Sequence, residues 1–144
     1  MKLNGKVVLK ATLKAGSIYH FTNDSFENKA AHFQVVLNNC PIDDKYIICV
    51  CATSKVKKRR DWVARVKFPP ETLVEIAVGT YSFFTKPTVF DCNGVQSYSP
   101  GELIKKYDEN ALRHFGYLQP QHLEMLKKGV KMSPRIERGI KKLV

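Results

Sequence analysis

The chain has 144 residues, which fits a single domain over residues 1–144 that can bury a core without disulfides or structural metals. Its 24 Lys and Arg outnumber its 13 Asp and Glu, and the formal charge of +11 favours a polyanionic partner, RNA or DNA. No apolar run approaches the roughly 20 residues that span a bilayer, and lysines interrupt the N-terminal segment where a signal peptide needs an apolar stretch. These features exclude a membrane protein and predict a cytoplasmic one.

The first predicted elements are short. Residues 6–13 have the pattern of a strand or of an amphipathic opening segment. A turn at Gly16 introduces a strand over residues 17–21, which contains His20. The polar residues 22–29 are typical of a loop, and Lys29 ends it.

Two apolar segments in the middle of the chain carry reactive side chains at their ends. His32 opens the segment 32–38, and Thr53 and Ser54 close the segment 47–54. The short polar turn between them predicts an antiparallel pair, so the start of one strand lies beside the end of the other. An imidazole and two hydroxyls would then meet at one rim. The alternative is that these are ordinary edge and turn residues.

A basic segment follows directly and is expected to be a loop. Its five cations are candidate RNA-binding residues: Lys55, Lys57, Lys58, Arg59 and Arg60. A second basic concentration lies from residue 127 onward. Two alternatives stay open, a merely solvated loop and a loop that pairs with an acidic protein.

Beyond the basic segment the pattern predicts more strands and then helices. Residues 62–68 alternate apolar and charged side chains, which is typical of a half-buried strand, and short strands are expected at 73–78 and 88–90. Ser99, Pro100 and Glu102 have the form of a capping box that opens a helix.

Two more helices are expected in the C-terminal part. The first covers residues 120–128, and the second is capped by Ser133. Strands over about residues 1–98 followed by helices over about residues 99–144 predict an α+β domain with a small, curled antiparallel sheet.

The four cysteines suggest neither a metal site nor a disulfide framework. Cys49 and Cys51 alternate within one apolar strand, which predicts that both are buried on the same face, and no Cys-x-x-Cys pair occurs. We expect reduced core cysteines, no metal and no cofactor.

Three of these segments together resemble the MazF/PemK-like toxins of bacterial toxin–antitoxin systems: Gly16-Ser17-Ile18-Tyr19, residues 32–38, and the strand that ends in Thr53-Ser54. The resemblance covers about residues 14–110. It implies a small SH3-like antiparallel β-barrel followed by C-terminal helices, a homodimer, metal-independent cleavage of single-stranded RNA, and an antitoxin as protein partner. In that family an Arg and the Thr/Ser pair serve the cleavage chemistry.

The chain departs from the family pattern at two positions, because Ser17 stands where the family has an acid and His32-Phe33 stands where it has Arg-Pro. An imidazole lacks the permanent charge of a guanidinium, but it exchanges protons near neutral pH. His32 as base, with Thr53 and Ser54 as phosphate donors, is therefore chemically coherent.

Other groups complete the predicted site. His20 is the candidate for a second acid or base, and Lys29 and Arg60 are candidates for the missing cation. The competing hypothesis is a non-catalytic module on the same barrel that binds nucleic acid or a protein.

Overall fold

The computed structural model describes residues 2–23 and 30–144, and within them six strands form one antiparallel sheet. The elements in chain order are α1 (Gly5–Thr12), β1 (Ser17–Phe21), β2 (His32–Val36), β3 (Ile47–Thr53), α2 (Val56–Val66), a 3₁₀ turn (Pro70–Thr72), β4 (Leu73–Ile76), β5 (Thr88–Tyr98), α3 (Pro100–Asp108), β6 (Arg113–Tyr117), α4 (Pro120–Met132) and α5 (Arg138–Lys141). The α+β class is confirmed. None of the described helices is long and apolar enough to cross a membrane.

The strands are arranged in the order β4-β5-β3-β2-β1-β6, and the sheet is open, with β4 and β6 as its edges. The predicted SH3-like barrel is therefore wrong in its closure. Within the described residues no ladder joins β4 to β6, so the sheet stops at two edges. The sequence pattern predicts only helices over residues 99–144, but strand β6 also lies there.

Apolar side chains cover both faces of the sheet because successive strand residues point to opposite sides. On one side, here called the α4 face, Ile18 and Val50 pack with Leu126 of α4. On the other side, here called the α1–α3 face, Cys49 packs with Leu9 of α1 and Leu103 of α3.

Strand β5 contains a large irregularity opposite β3. Val50 pairs with Val95, and Ala52 pairs with Phe90. Between these two pairs, one residue of β3 stands opposite four residues of β5. The extra residues form a bulge, here called the β5 bulge (residues 91–94), and such bulges redirect side chains away from the regular ladder.

The buried side chain of Asn93 holds the β5 bulge in place. Its Nδ2 donates to Thr72 Oγ1 at 2.9 Å and to Asp91 Oδ1 at 3.0 Å. Its Oδ1 accepts from Ser133 Oγ at 2.7 Å. One amide thus ties the bulge to the 3₁₀ turn and to the end of α4.

The first two helices differ from the sequence-based expectation. Residues 6–13 belong largely to α1, which begins after Asn4, whose Oδ1 accepts from the Val7 N–H at 2.9 Å. The predicted basic loop and the predicted strand 62–68 are both wrong, because α2 runs through both. Its Lys, Arg and Ala residues favour a helix, and a Lys57–Asp61 pair at i, i+4 supports it.

The C-terminal helices agree with the sequence in part. The capping box of Ser99 and Glu102 is confirmed at the start of α3. Helix α4 continues past Gly129 to Met132, and Ser133 is buried rather than capping a new helix. The last helix begins only at Arg138. The predicted helix boundaries after residue 128 are therefore wrong.

Candidate active site at one end of the sheet

The register of β2 and β3 brings His32 and Thr53 to the same end of the sheet. Gln34 pairs with Cys51 in an antiparallel ladder, and His32 and Thr53 each lie two residues further toward this end. The predicted antiparallel pairing is confirmed. Because strand residues two positions apart lie on the same face, His32 and Thr53 share the face of Gln34 and Cys51, which is the α1–α3 face.

Thr53 and Ser54 lead the chain from β3 into α2. The Thr53 Oγ1 accepts a hydrogen bond from the Lys55 N–H at 3.2 Å, and this turn leaves the Thr53 hydroxyl hydrogen available for donation. Thr53 is half-buried and Ser54 is exposed. The two hydroxyls thus lie at the point where the sheet meets the basic helix.

His20 lies at the same end of the sheet but on the opposite face. It pairs with Phe33 across β1 and β2, and its ring centroid is 4.5 Å from that of Phe33 and 5.8 Å from that of Phe115. Burial, together with the charges of His32 and Arg113, lowers the pKa of His20 below its ordinary value. His20 therefore favours the neutral imidazole.

Arg113 is a cation at this end that sequence reasoning missed. It stands opposite His20 in the pairing of β1 with β6, and its guanidinium lies 5.1 Å from the Phe115 ring centroid. The sequence pattern predicts a helical region around it, whereas the structure places it on a strand. The alternation of Arg113 with the aromatic Phe115 is the sequence signal that could have indicated a strand here.

The predicted RNA-binding cations lie around the first two turns of α2, and several have carboxylate partners. Lys57 Nζ lies 2.7 Å from Asp61, and Arg60 Nε donates to Glu75 at 2.8 Å. This contact with Arg60 lowers the pKa of Glu75. Lys55 and Lys58 are exposed. Arg60, a candidate for the missing catalytic cation, is thus directed to a carboxylate on β4, and Lys29 lies outside the described residues.

Arg59 differs from its neighbours because it reaches the sheet. Its Nη1 lies 3.5 Å from Asp91 Oδ2 in the β5 bulge. Its charge also acts on Cys51 of β3, whose thiol pKa is raised to about 12 by burial against the opposing effect of Arg59. Since Cys51 precedes Thr53 by two residues on the same face, Arg59 brings positive charge toward the hydroxyl end of β3.

Ser17, at the position where the resembled family has an acid, is a structural residue. Its hydroxyl donates to the Thr12 carbonyl at 2.6 Å and accepts from the Lys14 N–H at 2.9 Å. The side chain is buried and joins the end of α1 to the start of β1. Among residues 2–23 and 30–144, no group of three or more His, Cys, Asp or Glu side chains is arranged to hold a metal ion.

Two of the solved structures to which this chain is similar each cover more than four fifths of it. One is the Mycobacterium tuberculosis toxin MazF-mt6, with a TM-score of 0.53 and 14% identity over 84% of this chain and 98% of that one. The other is an endoribonuclease in complex with its cognate antitoxin from a mycobacterial species, with a TM-score of 0.51 and 9% identity over 82% of this chain and 90% of that one. No protein-family model and no curated protein matches the sequence. At these identities the likeness establishes the fold, and the chain has the fold of MazF-type toxins.

Proposed function

We propose that this protein is a toxin-type endoribonuclease that binds single-stranded RNA and cleaves it without a metal ion. The observation that carries the proposal is the convergence of His32 with Thr53 at one end and on one face of two paired strands. The basic helix that begins directly after this end supports an RNA substrate. The structural similarity to a solved endoribonuclease and to the MazF-mt6 toxin also supports the proposal.

The proposed reaction uses the 2′-hydroxyl of the substrate as nucleophile. His32 accepts the proton of this hydroxyl while the oxygen attacks the adjacent phosphorus. Thr53 and Ser54 donate hydrogen bonds to the phosphate oxygens, on which negative charge grows. The bond from phosphorus to the 5′-oxygen breaks, and that oxygen takes a proton from water. The products are a 2′,3′-cyclic phosphate and a 5′-hydroxyl.

His20 has a smaller part in this proposal than the sequence predicted. A general acid must carry a proton at working pH, and the lowered pKa of His20 works against this. Its packing against Phe33 and Phe115 also directs it to the face opposite Thr53. We therefore assign it to the packing of the strand end.

A protein partner is part of the proposal. One similar endoribonuclease was solved with its cognate antitoxin. A protein with net charge +11 attracts an acidic segment as readily as it attracts RNA. We therefore propose that an antitoxin inhibits this protein, and that the enzyme acts as a homodimer, as the family resemblance implies.

Cleavage of a labelled single-stranded RNA by the purified protein tests the function. We expect 5′-hydroxyl and cyclic-phosphate ends, and an unchanged rate when a chelator is added. His32→Ala should abolish cleavage. Thr53→Ala should slow it by about one to three orders of magnitude, the range for loss of one transition-state donor, whereas Thr53→Ser keeps the hydroxyl and most of the rate.

Two results would count against this assignment. His32→Arg introduces a permanent cation that exchanges no proton at neutral pH, so wild-type cleavage by His32→Arg would exclude a base at this position. RNA binding without cleavage under any condition would instead favour the non-catalytic binding module. Circular dichroism of each variant checks that the fold is intact.

A further inference from the structure

A cavity of about 760 Å³ lies between α2, the β5 bulge and the segment that follows α4. Its size is within the range of pockets that hold small molecules and nucleotides. Arg59 and Trp62 of α2, Asn93 of the bulge, and Arg135 contribute to its walls. It is separate from the rim formed by His32 and Thr53.

The lining of this cavity is strongly basic. Five Lys or Arg side chains face two carboxylates there. The carboxylates are already engaged, since Asp61 pairs with Lys57 and Asp91 contacts Arg59. Within residues 2–23 and 30–144, Lys58, Arg65 and Arg135 form no ion pair. The cavity therefore favours an anionic occupant.

Arg59 contains a buried donor that needs an acceptor. Its Nε is shielded from solvent and has no hydrogen-bond partner in the described part of the chain. Its contact with Asp91 is made through Nη1 at 3.5 Å, which is long for a charge-assisted bond. A buried donor without a partner is costly. The Arg59 side chain as a whole is 42% exposed, so its guanidinium can still contact a phosphate oxygen in the cavity.

Trp62 adds a surface suited to a nucleobase. Its indole ring is half-buried in the cavity wall and is held edge-to-face by Phe68 at 5.3 Å. The Arg135 guanidinium lies 5.5 Å from the Trp62 ring. Indole faces and guanidinium planes are the groups on which single-stranded bases stack.

We propose that this cavity binds one nucleotide of single-stranded RNA, with its phosphate at Arg59 and its base at Trp62 and Arg135. The inference rests on the proposed RNA substrate and adds a subsite beyond the cleavage rim. Because α2 begins two residues after Ser54, a strand positioned at Thr53 can continue along this helix toward the cavity.

Trp62 is the only tryptophan of the chain, so its fluorescence reports on this cavity directly. The probe is a short, mixed-sequence, single-stranded RNA with 2′-O-methyl groups, which the proposed reaction cannot cut. We expect the probe to quench Trp62 fluorescence with the same midpoint that fluorescence anisotropy of the labelled probe gives for binding.

Two arginines near the C-terminus provide a matched pair of variants. Both side chains are exposed, but only Arg135 lines the cavity. We expect Arg135→Ala to weaken probe binding about tenfold, within the range for loss of one stacking contact with a base. Arg138→Ala should leave both quenching and affinity near wild type.

The outcomes separate this inference from the proposed function. Probe binding without Trp62 quenching, or equal losses in Arg135→Ala and Arg138→Ala, would overturn the nucleotide subsite and leave RNA binding in place. No binding of the probe by either readout would overturn both. Quenching by poly-glutamate but not by the RNA probe would overturn the subsite in favour of an acidic peptide.

Discussion

His20 shows how a single side chain can link the acid stability of this protein to its fold. It packs against the rings of Phe33 and Phe115, and the charges of His32 and Arg113 act on it, so the folded protein resists its protonation. An unfolded chain has no such environment. The pKa of His20 is therefore lower in the folded state than in the unfolded state, and protonation favours unfolding.

We expect the melting temperature to fall as the pH is lowered from about 7.5 to about 5. The loss begins as pH falls through the ordinary histidine pKa and is complete below the lowered pKa of folded His20. His20→Gln removes the titrating group, so its melting temperature should fall less over this window. Thermal unfolding followed by circular dichroism at several pH values measures the difference.

His114 serves as an internal comparison for this effect. Burial lowers its pKa as well, with an opposing contribution from a hydrogen bond to the backbone of Gly116. His114→Gln should therefore reduce the pH dependence in the same direction, and the two changes together should reduce it further. Equal pH slopes for His20→Gln and the wild type would refute the role given to His20.

The positions of the candidate site residues could be predicted from the sequence only in part. His32 and Thr53 could be placed together because pairing of two adjacent strands follows from their patterns and the short turn. Arg113, Trp62 and Arg135 could not, because their surroundings come from elements distant in the sequence. A local pattern carries no information about which distant side chain stands opposite.

At the level of elements, α4 lies close against the 3₁₀ turn and β5 at Gly129. A Cβ added there would lie 2.8 Å from the Glu71 carbonyl oxygen and 2.9 Å from Cys92 Sγ. Both neighbours are fixed, one by the 3₁₀ turn and one within β5. Gly129 is thus required inside α4, because only glycine lets the helix lie against its neighbours at this distance.

We expect Gly129→Ala to lower the free energy of unfolding by about 1–3 kcal/mol, the cost of overpacking, reduced by the better helix propensity of alanine. Gly139→Ala is the matched control, since an added Cβ at Gly139 in α5 meets no atom within 4 Å. It should leave stability unchanged or slightly raised. Urea unfolding of both variants decides the matter, and equal stability of the two would contradict the close packing of α4.

Elements with local signals were predictable, and those decided by distant contacts were not. The capping box of Ser99 and Glu102 fixes the start of α3 through its own hydrogen bonds. The alternation over residues 62–68 suggested a strand, but no neighbouring strand pairs with it, and Val63 is buried as part of α2 instead. Closure of the sheet is likewise a property of the whole arrangement, which no single segment encodes.

At the scale of the whole molecule, the four cysteines differ in how deeply they are buried. None forms a disulfide. Cys49 and Cys92 are buried, Cys51 is half-buried, and Cys40 is exposed. The prediction that Cys49 and Cys51 are both buried is therefore wrong for Cys51, which is half-buried near the end of β3.

We expect one thiol, that of Cys40, to react rapidly with a thiol reagent in the folded protein. Burial raises the pKa of Cys51 and of Cys92 to about 12, and it raises the pKa of Cys49 as well, so these thiols lack both access and thiolate character. All four should react at once in denaturant. Rapid reaction of three or more thiols under native conditions would be incompatible with this packing.

The hydrogen bonds of the Asn93 amide affect the order in which parts of the protein can fold during synthesis. Its partners Thr72 and Ser133 lie 21 and 40 residues away along the chain. During synthesis, the ribosome has to release the segment through Ser133 before the β5 bulge gains its last hydrogen bond, and such long-range contacts form late in folding. The sheet can pair earlier from its neighbouring strands, whereas the cavity beside α2 takes its final shape only when the segment with Ser133 and Arg135 has emerged.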